Sequence, residues 1–311
     1  SFAFLCTPLN LHLPFKTMTT PQISRRLACA GLLLPLLPLG GCISNPLKAK
    51  VVPRIGLALG GGAAKGFAHI GVIKTLEANG IAVDIVTGTS AGAVVGSLYA
   101  SGLDGFQLQA KAMQLDQSDL TDWTLSTSGF IKGEKLEAYI NAQLGNRPLE
   151  KLPRPFGVAA TDLDSGQRVI FRTGNAGQAV RASASVPNVF LPVSISGRRY
   201  VDGGLTSPVP VSAAREMGAH FVIAVDISAK PKAGKASGLL SMLDQSINIM
   251  SASALATELG KADIVIRPQV LDMGSANFDA RHQAILEGEK ATQALIAQIR
   301  SKLQKVTADL N

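Results

Sequence analysis

From Arg54 onward, short apolar runs alternate with amphipathic stretches, and glycine marks most of the joins. Ile55-Gly56-Leu57-Ala58-Leu59 reads as a buried strand. Phe67, Ile70, Ile73 and Leu76 then recur at helical spacing, and Gly80 stops the helix. A second apolar run, Ile81 to Val86, passes through Gly88-Thr89-Ser90-Ala91-Gly92 into a small-residue and apolar stretch from Ala93 to Ala100, which is strand, sharp turn, helix. From Leu103 to Leu152 the pattern is polar and helical, with Trp123 and Phe130 as large apolar groups. Gly133 to Leu144 places Leu136, Tyr139, Ile140 and Leu144 along one helical face. This region reads either as a wall or cap over a site or as a plain surface helix pair.

Strands follow. Phe156–Thr161 and Arg168–Arg172 flank Asp162-Leu163-Asp164-Ser165-Gly166, a hairpin turn. Ala179–Ser185 predicts a short helix ended by Pro187, and Arg199-Tyr200-Val201 leads into Asp202-Gly203-Gly204. Pro208–Met217 predicts a helix stopped by Gly218, and Ala219–Ile227 a strongly apolar strand. Residues 229–238 read as a basic loop carrying Lys230, Lys232 and Lys235, expected either to contact anionic lipid or to be a plain linker. Leu239–Leu259 predicts a long helix, Ile264–Ile266 a strand, and Ala280–Leu303 one closing helix. Strands alternating with helices predict an α/β domain with a mostly parallel sheet covered on both faces. No internal repeat is visible.

The first 53 residues differ in kind. Residues 1–17 have no period and read as an over-extended start. Arg25-Arg26 then precedes an apolar stretch from Leu27 to Leu39, too short to span a bilayer, which ends in Leu39-Gly40-Gly41-Cys42. This resembles a bacterial lipoprotein signal whose cysteine, Cys42, is lipidated; the alternative is an ordinary signal peptide with an incidental cysteine. Ile43–Pro53 reads as a tether and 54–311 as the folded domain. Ile43 rather than an aspartate follows the cysteine, so the expected location is the bacterial envelope, lipid-anchored at the outer membrane and facing the periplasm.

Composition sets limits. The chain has 311 residues, 46% hydrophobic and 17% charged, ample for one large domain or two small ones. Its net charge of +8 suits an anionic lipid surface, and sparse aromatics without an interleaved basic stretch set nucleic acid aside. Cys6, Cys29 and Cys42 all precede the domain, so no disulfide and no cysteine metal site is expected there. No cofactor or metal is expected, and the oligomeric state is left open.

Gly88-Thr89-Ser90-Ala91-Gly92 has the Gly-x-Ser-x-Gly form of a nucleophile elbow; the alternative is a tight strand-helix turn that happens to contain serine. Its serine is lifted above the sheet, and the first amides of the next helix point their partial positive charge at it. Three readings compete for Gly60-Gly61-Gly62-Ala63-Ala64-Lys65-Gly66. A P-loop needs Lys-Ser/Thr after its last glycine, and Phe67 follows Gly66. A dinucleotide fingerprint starting at Gly60 fails by one residue, at Lys65. An oxyanion hole of backbone amides from Gly61, Gly62, Ala63 and Ala64 suits a serine arriving one strand later. The serine needs a base. His69 and His220 sit in a helix and at the head of a buried strand, and His282 begins a long helix without a loop to aim it. Asp202 ends a strand before two glycines that let backbone approach a site, and is the candidate for direct use as base; a plain turn is the alternative.

Taken together, Gly60 to Gly66, Gly88 to Gly92 and Asp202-Gly203-Gly204 resemble, in order, the three signature blocks of patatin-like phospholipases. Ala160-Thr161-Asp162 and Ser183-Ala184-Ser185-Val186-Pro187 are similar to that family too. The likeness covers roughly residues 54–228. It departs at Ala63, where the strict form counted back from Gly66 has glycine. The resemblance implies a three-layer α/β/α fold, a Ser90–Asp202 dyad and metal-free hydrolysis of lipid acyl esters. The expected substrate is membrane phospholipid or another acyl-ester lipid, and the expected lipid anchor makes the membrane surface a partner. Lys65 is expected at the surface, facing headgroups or simply capping it. Two other functions remain open: a Ser-His-Asp hydrolase, and a non-catalytic envelope lipoprotein that binds lipid or a partner.

Overall fold

The computed structural model describes residues 51–115, 133–187, 189–228, 239–274 and 277–311. The expected signal and lipidation site, most of the tether, Trp123, Phe130 and the 229–238 lysine loop lie outside them.

Apolar runs without polar alternation become strands covered on both faces. β1 (Ile55–Leu59), β2 (Ile85–Thr89) and β3 (Phe156–Asp162) are buried at every position. β4 (Arg168–Phe171), β5 (Val193–Ile195) and β6 (Arg198–Asp202) follow, then the fully buried β7 (Phe221–Val225) and β8 (Ile264–Ile266). The strand order is β5-β6-β3-β2-β1-β7-β8, with β4 also on β3. β3-β2-β1-β7-β8 is parallel, whereas β4, β5 and β6 pair antiparallel.

The helices in chain order are α1 (Ala68–Ala78), α2 (Ala91–Ala100), α3 (Gly105–Gln114), α4 (Glu134–Gln143) and α5 (Ala176–Ser183). They continue as α6 (Val211–Glu216), α7 (Leu239–Leu259), α8 (Arg281–Gln293) and α9 (Ile296–Asp309). Strand alternation divides the helices into two layers. Leu57, Leu59, Phe221, Ile223 and Val225 share a core with residues of α1 to α5, α8 and α9. Ala58, Val222 and Ala224 pack instead with Val211 and Ala214 of α6 and with Leu255 and Leu259 of α7. The result is the expected three-layer α/β/α sandwich on a mostly parallel sheet.

Several boundaries moved for identifiable reasons. β2 starts at Ile85, not Ile81, because Asp84 is spent on Ile55: its Oδ2 accepts the Ile55 N–H at 2.7 Å, and its own N–H donates to the Ile55 carbonyl at 2.9 Å. The helix expected from Pro208 begins at Val211; Pro208 and Pro210 lack the N–H a helix interior needs. The single closing helix is two, α8 and α9. The Leu295 N–H bonds back three residues to Thr292 at 2.9 Å, and Ile296 and Ile299 turn into the core. β5 was not foreseen, being only three residues long with Ser194 exposed between its apolar neighbours. The Gly133–Leu144 helix is anchored through Leu136, Ile140 and Leu144, all in the core, and pairs Glu137 with Arg181 of α5 at 2.9 Å.

α1 and α8 cross where two glycines face each other. A Cβ on Gly71 would lie 1.9 Å from the Ile285 carbonyl oxygen, and one on Gly288 2.1 Å from that of Ala68. Gly288→Ala should therefore force these helices apart and lower stability by about 1–3 kcal/mol or more, read as a fall in the urea midpoint.

Candidate active site

β3 brings two distant segments together. Thr89 of β2 is opposite Ala159, and Asp202 of β6 is opposite the next residue, Ala160. β4 occupies the other edge of β3 from Val158 to Thr161, so β2 and β6 share one edge and meet end to end. Ser90 follows the last residue of β2, and Asp202 is the last residue of β6.

Ser90 has φ 53 and ψ −120, a conformation uncommon for a residue with a side chain. Its surroundings hold it there. The Ala93 and Val94 N–H groups donate to its carbonyl at 2.8 and 3.1 Å, and its own N–H donates to Ser183 Oγ at 2.9 Å. Ser183 Oγ in turn donates to the Ala159 carbonyl at 2.5 Å. The flanking glycines are steric necessities: a Cβ on Gly88 would lie 2.4 Å from the Gly92 carbonyl oxygen, and one on Gly92 2.2 Å from that of Leu59. Ser90 caps α2, at the positive end of its dipole.

Asp202 is 7% exposed. Its Oδ1 accepts the Gly204 N–H at 2.6 Å, its N–H donates to the Ser185 carbonyl at 2.9 Å, and its carbonyl accepts the Thr161 hydroxyl at 2.9 Å. Its Oδ2 is buried and has no well-formed hydrogen bond. Burial pushes the carboxyl up to about 6, opposed by the Gly204 N–H and then by the Ser90 hydroxyl. The Ser90 hydroxyl thus favours the ionised carboxylate. Gly203 opens the short turn Gly203–Leu205 that carries the chain away from the site.

The glycine loop runs beside Ser90: a Cβ on Gly61 would lie 3.3 Å from Ser90 Cβ. The expected set of oxyanion donors is narrowed, because the Gly61 N–H is already bonded to the Pro208 carbonyl at 3.0 Å. Among the described residues, the amides of Gly62, Ala63 and Ala64 have no acceptor. Ala63, the departure from the strict motif, takes a positive φ of 50, which glycine adopts at less cost. Gly66 and Lys65 belong to the 3-10 turn Ala63–Phe67. Lys65 is 3% exposed, so its expected surface position is corrected: the side chain is folded inside the domain.

Two of the described histidines are engaged elsewhere. His69 in α1 is fully buried, with Nε2 2.8 Å from the Gly60 carbonyl. Burial lowers its pKa to about 4, so the ring is neutral at pH 7 and Nε2–H is the donor. Gly60 is also held by its N–H on the Val225 carbonyl at 3.0 Å. His69 therefore fixes the start of the glycine loop, a part not foreseen for it. His220 is exposed and its Nδ1 accepts the Arg54 N–H at 3.0 Å; His282 is exposed on the first turn of α8. Ser183 and Thr89 were likewise not singled out as site residues; buried hydroxyls in an apolar pattern were the available signal. Among the described residues, no group of three His, Cys, Asp or Glu side chains is placed to hold a metal ion.

The sequence model of the patatin-like phospholipase family matches residues 57–215. A Mycobacterium bovis protein described as an uncharacterised NTE family protein is 39% identical over 178 residues, covering 57% of this chain and 49% of that protein. The lysophospholipase NTE1 of Coccidioides immitis is 33% identical over 181 residues, covering 56% of this chain and 12% of that protein. The chain thus spans about half of the mycobacterial relative and a small part of the fungal one. The crystal structure of VipD from Legionella pneumophila has a TM-score of 0.53 at 16% identity, over 80% of this chain and 67% of that chain, a likeness of fold. With the motif residues and the family match agreeing, the chain belongs to the patatin-like phospholipase family.

Proposed function

We propose that the protein is a serine acyl hydrolase of phospholipase A or esterase type, cleaving carboxylic esters of membrane lipids through a Ser90–Asp202 dyad. One observation carries this reading: Ser90, held at positive φ, meets a buried carboxylate whose Oδ2 is unpaired. A partly desolvated carboxylate with a raised pKa is a competent base for a hydroxyl, whereas a hydrated one is not. The engagement of His69 and His220 with backbone groups favours the dyad over a Ser-His-Asp triad. Non-catalytic lipid binding would not require the strain at Ser90.

In the proposed reaction Asp202 Oδ2 takes the Ser90 proton as Oγ attacks the ester carbonyl carbon. The amides of Gly62, Ala63 and Ala64 receive the oxyanion. Collapse breaks the ester bond, and protonated Asp202 returns the proton to the leaving alcohol. Water then gives a proton to Asp202, attacks the acyl-enzyme and releases the fatty acid, and the proton goes back to Ser90. The family of the chain and its likeness to a fungal lysophospholipase support lipid as substrate class. We further propose that Cys42 carries a lipid anchor that places the domain at the periplasmic face of the outer membrane, and that the 229–238 lysines approach anionic headgroups there.

Ser90→Ala and Asp202→Asn should each lower kcat on phospholipid vesicles by about three to four powers of ten. His220→Ala and His282→Ala should stay within about tenfold of the parent. An Asp202→Asn protein that remains active while His282→Ala is dead would refute the dyad.

The pH profile has a definite sign. The base must be ionised, so kcat/KM should rise with pH through a midpoint near 6, the pKa of Asp202, and hold a plateau above it. An ordinary imidazole titrates close by, at about 6.5. His69, lowered to about 4, cannot supply that limb, so His69→Gln should leave the midpoint in place.

Globomycin treatment of a bacterial host should block processing at Cys42, and Cys42→Ala should leave the membrane fraction. Continued membrane fractionation of Cys42→Ala would contradict the anchor.

A further inference from the structure

Glu258 is a buried carboxylate that the proposed chemistry does not use. It lies near the C-terminal end of α7 and is 5% exposed. Burying a carboxylate is costly unless its oxygens are well bonded. Here both are. Oε1 accepts the Ser207 hydroxyl at 2.9 Å, and Oε2 accepts the backbone N–H of Ser212, in the first turn of α6, at 2.7 Å.

Ser207 gives that arrangement its meaning. The residue is fully buried, and all three of its polar groups are engaged. Its N–H donates to the Gly203 carbonyl at 2.8 Å, and its carbonyl accepts the Thr89 hydroxyl at 2.7 Å. Gly203 directly follows Asp202, and Thr89 directly precedes Ser90. One residue therefore holds the neighbour of the base through its N–H and the neighbour of the nucleophile through its carbonyl. Its remaining group, the hydroxyl, is held by Glu258. A parallel tie runs through Thr206, whose hydroxyl is 2.9 Å from that of Thr161, and the Thr161 hydroxyl donates to the Asp202 carbonyl. The loop 203–207 is thus pinned at both catalytic strands, and its anchor outside the sheet is a side chain of α7.

We infer that Glu258 is a positioning residue for the Ser90–Asp202 pair, fixing through Ser207 the separation of nucleophile and base. This rests on the dyad reading above. β3 brings the ends of β2 and β6 together without a hydrogen bond between them, and the 203–207 loop ties the two ends a second time, through Gly203 and Thr89. A misplacement of about 1 Å at a reacting pair lowers rate by about a hundredfold. Glu258 touches neither substrate nor reacting atoms, so its effect should fall on kcat and leave binding alone.

The test uses the whole protein with Glu258→Gln, Ser207→Ala and their combination. Glu258→Gln keeps the shape but replaces one acceptor by a donor; Ser207→Ala removes a single hydroxyl. Each should lower kcat on phospholipid vesicles by about 10–100-fold with KM within about twofold of the parent. The double variant should be no slower than the slower single, because both break one chain of contacts. The acid limb of kcat/KM should also move down in pH, as a loosened 203–207 loop admits water to Asp202; a loss of stability alone would not move it. The inference is overturned if both variants keep kcat within twofold while the urea midpoint falls, which would make Glu258 a stabilising group only. It is equally overturned if neither variant keeps the near-ultraviolet circular dichroism of the parent. Parent hydrolysis with its loss in Ser90→Ala reads the dyad separately. An inactive parent removes the dyad and this role together, whereas an active parent with unimpaired variants removes only this role.

Discussion

The site depends on one edge of β3 serving two strands. β2 uses that edge up to Ala159 and β6 takes it over at Ala160 from the opposite direction. Backbone hydrogen bonding therefore brings the end of one strand to the end of another, although the two lie far apart in sequence. The two residues of β3 at the junction are alanines, both fully buried, so no bulky side chain crowds either face of the sheet there. The antiparallel β6 is the necessary departure from a parallel sheet, because a parallel β6 would present its first residue at that point instead of its last.

Strain and burial are concentrated at that junction and are held by groups around it. Ser90 keeps its positive φ because the Ser183 hydroxyl, two helix amides and two close-packed glycines leave it no alternative. Asp202 and His69 are perturbed in opposite senses by the same cause, burial: the carboxyl is raised to about 6 and the imidazole lowered to about 4. Their effects on stability oppose each other. As pH falls from 6.5 towards 4, the unfolded chain protonates His69 first and stability declines; over much of that range the folded chain protonates Asp202 first and stability rises.

The sequence announced what backbone chemistry alone dictates. Gly88 and Gly92 around Ser90 marked the elbow, Asp202-Gly203-Gly204 marked a strand end with room beside it, and apolar runs marked the parallel strands. The shared edge was not legible, since strand pairing is a long-range property that no local pattern carries. The hydroxyls of Thr89, Ser183 and Ser207 look like ordinary small residues until their partners are known. Lys65 read as a surface group because charge usually means solvent, yet it is buried. Gly61 read as an amide donor because it lies in the loop, but the Pro208 carbonyl takes its N–H. The break at Ala294-Leu295 was hidden because neither residue is a helix breaker.

The proposed dyad requires an Asp202 carboxylate that the fold desolvates beside Ser90. The most direct measurement is a pH titration of the side-chain carboxyl carbons by NMR in protein labelled with carbon-13 aspartate, with Asp202→Asn to assign the resonance. One aspartate resonance should titrate near 6 and vanish in the variant. An Asp202 resonance titrating in the ordinary range, about 3.9, would mean a hydrated carboxylate and would rule out a desolvated base.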